Sequence, residues 1–164
     1  MTRWKARTLA AQALGTIDPT TRAVVPPLHM STTFIRDPDN QYRSGYSYGR
    51  PDNATVRQTE SLVAALENAH DAALFGSGMA AATAIVLALP QGAHIVASQV
   101  MYWAFRNWLA GDATRFGYRV TFADTTDLAA VRDAVGHDTA LVYIETPGNP
   151  LWAISDIAAI AEIA

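Results

Sequence analysis

Ser77-Gly78-Met79 directly follows Ala72-Ala73-Leu74-Phe75, an apolar run that reads as a strand, and opens a run that reads as a helix. Strand, glycine turn and helix start form a geometry suited to phosphate. Small residues let the backbone approach an anion, and the unpaired N–H groups of the first helical turn point at it. The Ser77 hydroxyl adds a donor. Upstream, Tyr48-Gly49-Arg50 offers a guanidinium fork and a phenol to the same kind of anion. Downstream, Tyr102 carries a ring able to stack on a flat heterocycle. Glu145-Thr146-Pro147-Gly148-Asn149-Pro150 follows the most apolar strand. Open α/β sheets place ligands at the C-terminal ends of strands, where Glu145 falls. Asn149 can donate to a phenolate-like oxygen. Taken together, these residues suggest a phosphorylated cofactor.

Each piece also has a plainer reading. Gly76-Ser77-Gly78-Met79-Ala80-Ala81 matches the dinucleotide pattern Gly-x-Gly-x-x-Ala, but the next strand ends Ala97-Ser98-Gln99. The acid that would hold a ribose, expected about 20 positions on, is missing, which disfavours a nicotinamide or flavin. The glycine turn also serves simple helix–strand packing. Tyr48 and Arg50 also read as a half-buried ring and a surface ion-pair partner. Tyr102 also reads as core beside Trp103, Phe105 and Trp108, and the Pro-x-Asn-Pro loop as a rigid turn. Thr146–Pro147 and Asn149–Pro150 are candidate cis bonds.

The elements that must position these groups begin in earnest at Ala54. Residues 1–57 hold Pro19, Pro26, Pro27, Pro38 and Pro51 and a polar, glycine-containing cluster at 37–53, which predicts loops and extended segments. Interspersed Val24, Val25, Leu28, Phe34, Tyr42, Tyr46 and Tyr48 favour an arm laid over another surface rather than a solvated tail. Beyond the arm, helices are expected at 55–68, 78–89, 102–110 and 128–135, and strands at 72–75, 94–97, 119–123 and 140–144. The helix at 78–89 is apolar nearly all round and is expected to be buried. A last helix, capped by Ser155 or Asp156, runs to Ala164 without a stop signal. Alternating strands and helices predict an α/β fold, a mostly parallel sheet with helices on both faces. Such a sheet is expected to continue with another strand, so the chain reads as truncated.

Composition narrows the function classes. Half of the 164 residues are hydrophobic and only 16% are charged, which excludes a disordered chain. A net charge of −3 gives no electrostatic case for nucleic acid. The absence of cysteine removes disulfides, thiolate catalysis and cysteine metal sites, and fits a reducing, cytoplasmic setting. His29, His70, His94 and His137 form no ligand pair at helical spacing, so no metal is expected. The apolar runs are too short for a bilayer. The first fifteen residues carry Arg3, Lys5 and Arg7 without an acid, yet their apolar stretch is too weak for a secretory signal.

In order, the motifs resemble those of the pyridoxal-phosphate enzymes of cysteine and methionine metabolism, the cystathionine γ-synthase and γ-lyase type. The matching pieces are Ala23-Val24-Val25-Pro26-Pro27-Leu28, Ser31-Thr32-Thr33-Phe34 and Tyr48-Gly49-Arg50-Pro51-Asp52-Asn53-Ala54-Thr55. They continue with Leu66-Glu67, Ser77-Gly78-Met79, Tyr102, the 145–150 run and Asp156-Ile157. The resemblance implies a fold-type I transferase-like domain from 58 to 164 and pyridoxal 5'-phosphate as cofactor. It implies that Gly78 and Met79 give N–H groups to the phosphate, with Ser77 beside them. Tyr48 and Arg50 would reach the phosphate of the neighbouring subunit, making residues 1–57 a dimer device in a homodimer or homotetramer with shared active sites. Tyr102 would stack on the pyridine ring, Asn149 would bond its phenolic oxygen and Glu145 would support that side.

The implied activity is trans-sulfuration on a sulfur-containing or homoserine-derived amino acid. A cystathionine β-lyase, an O-acylhomoserine sulfhydrylase and, in another class, a non-catalytic assembly module are the alternatives. Two positions depart from the family pattern: Trp103-Ala104-Phe105 replaces small residues, and Asn53-Ala54-Thr55 replaces Asn-Pro-Thr. The family's Schiff-base lysine and its pyridine-pairing aspartate fall beyond the residues present. Lys5, the only lysine, lies in the first turn of the arm and is not nominated in that lysine's place, so an incomplete enzyme is expected.

Overall fold

A computed structural model describes residues 4–164, and the described residues divide into two compact units that meet after Leu74 in the sequence. Residues 1–3 of the expected arm, Arg3 among them, lie outside the described residues.

The first unit contains α1 (Ala6–Ala11), a short 3-10 turn (Ala13–Gly15) and α2 (Ala54–Leu66), joined by a long irregular stretch. That stretch matches the proline and glycine content of the sequence, although α1 was not foreseen. Asn53 starts α2 as its N-cap: its side chain accepts from Thr55 N–H at 2.8 Å and donates to His29 O at 3.0 Å. One residue therefore fixes the helix start and a distant loop together. Gln58 Nε2 on the same helix donates to Ala13 O and Thr16 Oγ1, both at 3.1 Å. These ties place α2 with the arm, and the division between units falls after Leu74. The strand expected at 72–75 is an irregular segment, because no strand among the described residues offers it a ladder; Leu74 N–H donates instead to Glu60 Oε1 at 2.8 Å.

In the second unit α3 (Gly78–Leu87) leads into β1 (His94–Ser98), α4 (Trp103–Trp108) with a π-helical turn (Leu109–Ala113), and β2 (Arg119–Ala123). Then come α5 (Leu128–Ala134), β3 (Thr139–Tyr143) and α6 (Ile157–Ile163). The sheet is parallel in the order β2-β1-β3, with Val96 facing Thr121 on one side and Val142 on the other. As the central strand, β1 is buried at every residue. Each connection between parallel strands is expected to be right-handed. The path goes from β1 out to β2 and then back past β1 to β3, so equal handedness puts α4 and α5 on opposite faces. That reversal makes the C-terminal ends of β1 and β3 a topological switch point, where open α/β sheets hold ligands.

Val86, Ile95, Ala97, Met101, Phe105 and Leu109 form the centre of the core. Contrary to the sequence expectation, α3 is not buried all round: Val86 is fully enclosed while Ile85 and Leu87 are about half exposed. Ala82 and Val86 face the core with Met79 packed beside them, and Ile85 and Leu87 lie outside it. At the N-terminal end of the sheet, buried His94 bridges Thr139 Oγ1 at 2.8 Å and Thr121 Oγ1 at 2.9 Å, tying all three strands together. No described helix is long and apolar enough to cross a membrane.

Candidate functional site

Ser77 caps α3: its Oγ accepts from Ala80 N–H at 3.1 Å. This leaves the hydroxyl proton free to donate outward. The N–H groups of Gly78 and Met79 have no partner among the described residues. A Cβ at Gly78 would meet nothing within 4 Å, so the space over this backbone is open. Unpaired amides, a free hydroxyl proton and open space suit an anion.

A cavity of about 440 Å³ lies against this helix start, lined by Ser77, Gly78, Met79, Tyr102, Tyr143 and Glu145, with Ala82 and Phe105 behind. Tyr102 is the residue before α4 rather than part of it, and half of it is exposed. Its N–H donates to Glu145 Oε2 at 2.9 Å, and the other carboxylate oxygen accepts from Asn149 N–H at 3.4 Å. Glu145 therefore links the end of β3 to the segment after β1 and to the proline-rich loop. Both Thr146–Pro147 and Asn149–Pro150 are cis.

The structure thus brings together five of the sequence-nominated residues: Ser77, Gly78, Met79, Tyr102 and Glu145. Asn149 is an exposed loop residue outside the cavity lining, joined to it through its backbone bond to Glu145. Tyr48 and Arg50 belong to the first unit. There Arg50 Nη2 donates to Tyr48 Oη at 3.0 Å and its guanidinium lies 5.4 Å from the phenol ring centre. Both are exposed. Gly49 between them comes so close to Ser31 O that a Cβ would sit 2.7 Å away, which requires glycine at this position.

Sequence reasoning missed Tyr143 and Phe105. Tyr143 lies two positions before Glu145, and the period of two along a strand puts both on one side. That signal was available. Burial pushes the Tyr143 phenol above its ordinary pKa, and the nearby Glu145 carboxylate adds to the shift, so the phenol stays protonated at neutral pH. Phe105 was legible only as an apolar helix residue. Its ring packs on Tyr143 at 4.9 Å and stacks on Trp108 at 5.8 Å, closing the cavity floor.

The sequence matches the model of the family described as Cys/Met metabolism PLP-dependent enzyme over residues 7–164. It is 35% identical over 159 residues to cystathionine gamma-lyase of Dictyostelium discoideum, covering 97% of this chain and 41% of that protein. A probable cystathionine gamma-synthase of Herpetosiphon aurantiacus is 35% identical over 144 residues, covering 88% of this chain and 45% of that one. The crystal structure of cystathionine gamma-lyase from Lactobacillus plantarum, complexed with L-serine, superposes with a TM-score of 0.88 at 36% identity, covering 98% and 42% of the two chains. The chain thus spans about two-fifths of the length of such relatives. An open phosphate-suited helix start on a parallel α/β sheet, together with a family match that runs from α1 to the last residue, leads to one conclusion: the chain belongs to the Cys/Met metabolism PLP-dependent enzymes.

Proposed function

We propose that this chain is the cofactor-cradling part of a trans-sulfuration enzyme of the cystathionine γ-synthase or γ-lyase type, acting on a sulfur-containing or homoserine-derived amino acid in the cytoplasm. The observation that carries this reading is the cavity in which the free amides of Gly78 and Met79 converge with Tyr102 and Glu145. The donor set fits pyridoxal phosphate: an anion seat beside a half-exposed aromatic face. When bound, the cofactor supplies an electron sink for the charge left on a substrate's α-carbon.

The chain's own residues would then do the placing. Gly78 and Met79 N–H and the Ser77 hydroxyl hold the phosphate. The Tyr102 ring would stack on the heterocycle, which makes it the candidate catalytic residue. Glu145 keeps Tyr102 in place through its backbone N–H. Asn149 donates its side-chain amide to the phenolic oxygen. Tyr48 and Arg50 supply a phenol and a guanidinium to the phosphate of a neighbouring subunit, so the active sites of a homodimer or homotetramer are shared.

Two experiments on the protein containing this chain test the reading. Incubation with cystathionine and pyridoxal phosphate should release cysteine, because Cγ–S cleavage leaves sulfur on the three-carbon half. Release of homocysteine would mean Cβ–S cleavage and a β-lyase. Separately, Arg50→Ala should raise the dissociation constant for pyridoxal phosphate by about 10- to 100-fold, the usual value of a charge-assisted bond. Unchanged affinity would remove Arg50 from the phosphate site.

A further inference from the structure

Three buried hydroxyls meet at the C-terminal ends of the strands. Ser98 ends β1, Thr125 follows β2, and Ser155 closes the loop that leaves β3; they are only 1%, 5% and 5% exposed. Thr125 Oγ1 accepts from Ser155 Oγ at 2.8 Å and lies 2.9 Å from Ser98 Oγ. Ser98 Oγ also accepts Glu145 N–H at 3.3 Å, and Ser155 N–H donates to Thr146 Oγ1 at 3.0 Å. The loop from Glu145 to Ser155 is thereby pinned at both ends. Between the pins it folds back on itself, Gly148 N–H donating to Ala153 O at 2.7 Å.

The arrangement answers a specific need. Where the ladder of β3 stops, the next backbone amide loses its strand partner and must find an acceptor. A hydroxyl both donates and accepts, so three of them can satisfy one another and still serve that amide. No buried side-chain N or O atom among the described residues is left without a partner. Glu145 in turn holds Tyr102 N–H at 2.9 Å. A shift of the Glu145 backbone is therefore passed on to the residue that carries the exposed ring.

We propose that Ser98, Thr125 and Ser155 are positioning residues: their hydroxyl chain sets the height of Glu145 and, through it, of Tyr102. The consequence for cofactor binding rests on the function proposed above; the coupling from Thr125 to Tyr102 does not.

The test is amide hydrogen exchange in the cofactor-free protein, followed by titration with pyridoxal phosphate. Thr125→Val should speed exchange at Tyr102 by about tenfold while Val96, deep in β1, keeps its protection. Thr125→Ser, which retains the hydroxyl, should restore the original rate. With Glu145→Ala in place, which removes the acceptor of Tyr102 N–H, Thr125→Val should add no further change at Tyr102. The dissociation constant for pyridoxal phosphate should rise with the Tyr102 exchange rate. Should Thr125→Val fail to fold, Ser155→Ala removes one link only and should give a smaller, equally selective rise. Equal acceleration at Tyr102 and Val96, or none at Tyr102, overturns the proposal. If Tyr102 follows Thr125 but the original protein binds no pyridoxal phosphate, the functional reading falls and the positioning stands. If binding is normal and Tyr102 ignores Thr125, the positioning alone falls.

Discussion

From residue 4 to residue 74 only Leu9 and Ala64 are buried apolar side chains, whereas the sheet unit buries Val86, Ile95, Val96, Phe105, Leu109 and Val131 to 2% exposure or less. The first unit relies on polar ties. Arg43 pairs with Asp39 and Asp37, and Arg57 pairs with Asp52 while donating to Gly45 O at 3.1 Å. It leaves Val24, Leu28, Met30 and Ile35 exposed, the last at 94%. Exposed ion pairs contribute little, whereas enclosed apolar side chains contribute most of a domain's stability. The sheet unit is therefore the better buried of the two around its central strand, although it too leaves Trp103, Leu151, Trp152 and Ile157 exposed. The first unit, by contrast, has little enclosed apolar surface among the described residues.

The largest expected effect tests the core side of this contrast. Phe105→Ala should cost about 3–5 kcal/mol in urea unfolding, from lost burial and the cavity left behind. Ile35→Ala in the arm should stay within about 0.5 kcal/mol in the same measurement. Equal losses at the two positions would break the contrast.

Next, Asn53→Ala should cost about 1–2 kcal/mol, since it removes both the cap of α2 and the tie to His29. Limited proteolysis should then cut first within 24–45. Cleavage beginning in the sheet unit would show that the arm is better anchored than its burial implies.

A smaller pair of effects separates structure from binding at α3. Ser77→Ala should cost about 1 kcal/mol as a lost cap. Ser77→Asp should keep the cap and nearly all the stability, because an acid suits a helix start. It should nevertheless abolish phosphate retention by charge repulsion, read by equilibrium dialysis of pyridoxal phosphate. Retention by the Asp variant would remove this helix start from the cofactor site.

The smallest effect concerns an exposed pair at the edge of the sheet. Arg119 donates to Asp138 at 2.8 Å and holds its carboxyl below the ordinary 3.8. A lowered folded pKa means stability present above that ordinary value and lost as pH falls through the lower, folded one. Asp138→Asn should therefore lower Tm by about one or two degrees at pH 7 and by nothing once the carboxyl is protonated. A large drop at pH 7 would give surface charge more weight than the contrast allows.

Much of the sheet unit was legible because its signals are local. The runs 94–97, 119–123 and 140–144 are apolar between turn residues, and each is a strand within one residue at either end. Asp156 was one of two capping candidates for the last helix, and it is the cap, accepting from Ala159 N–H at 3.0 Å. Its rival, Ser155, lies in the buried hydroxyl chain. The run at 72–75 has the same apolar character as the true strands yet pairs with no strand among the described residues.

The sequence by itself determined what rests on neighbours within a few residues: helix starts, strand segments, the glycine turn at Ser77-Gly78-Met79 and the ordered motifs that carry the family resemblance. The tertiary structure alone decided the strand order β2-β1-β3 and the placing of Phe105 on the cavity. It also decided the bond from Glu145 to Tyr102 and the meeting of Ser98, Thr125 and Ser155. The physical reason is that these hydrogen bonds join residues 27 to 43 positions apart. Local preference fixes a residue's conformation, but only the pairing of strands determines which distant side chains it meets.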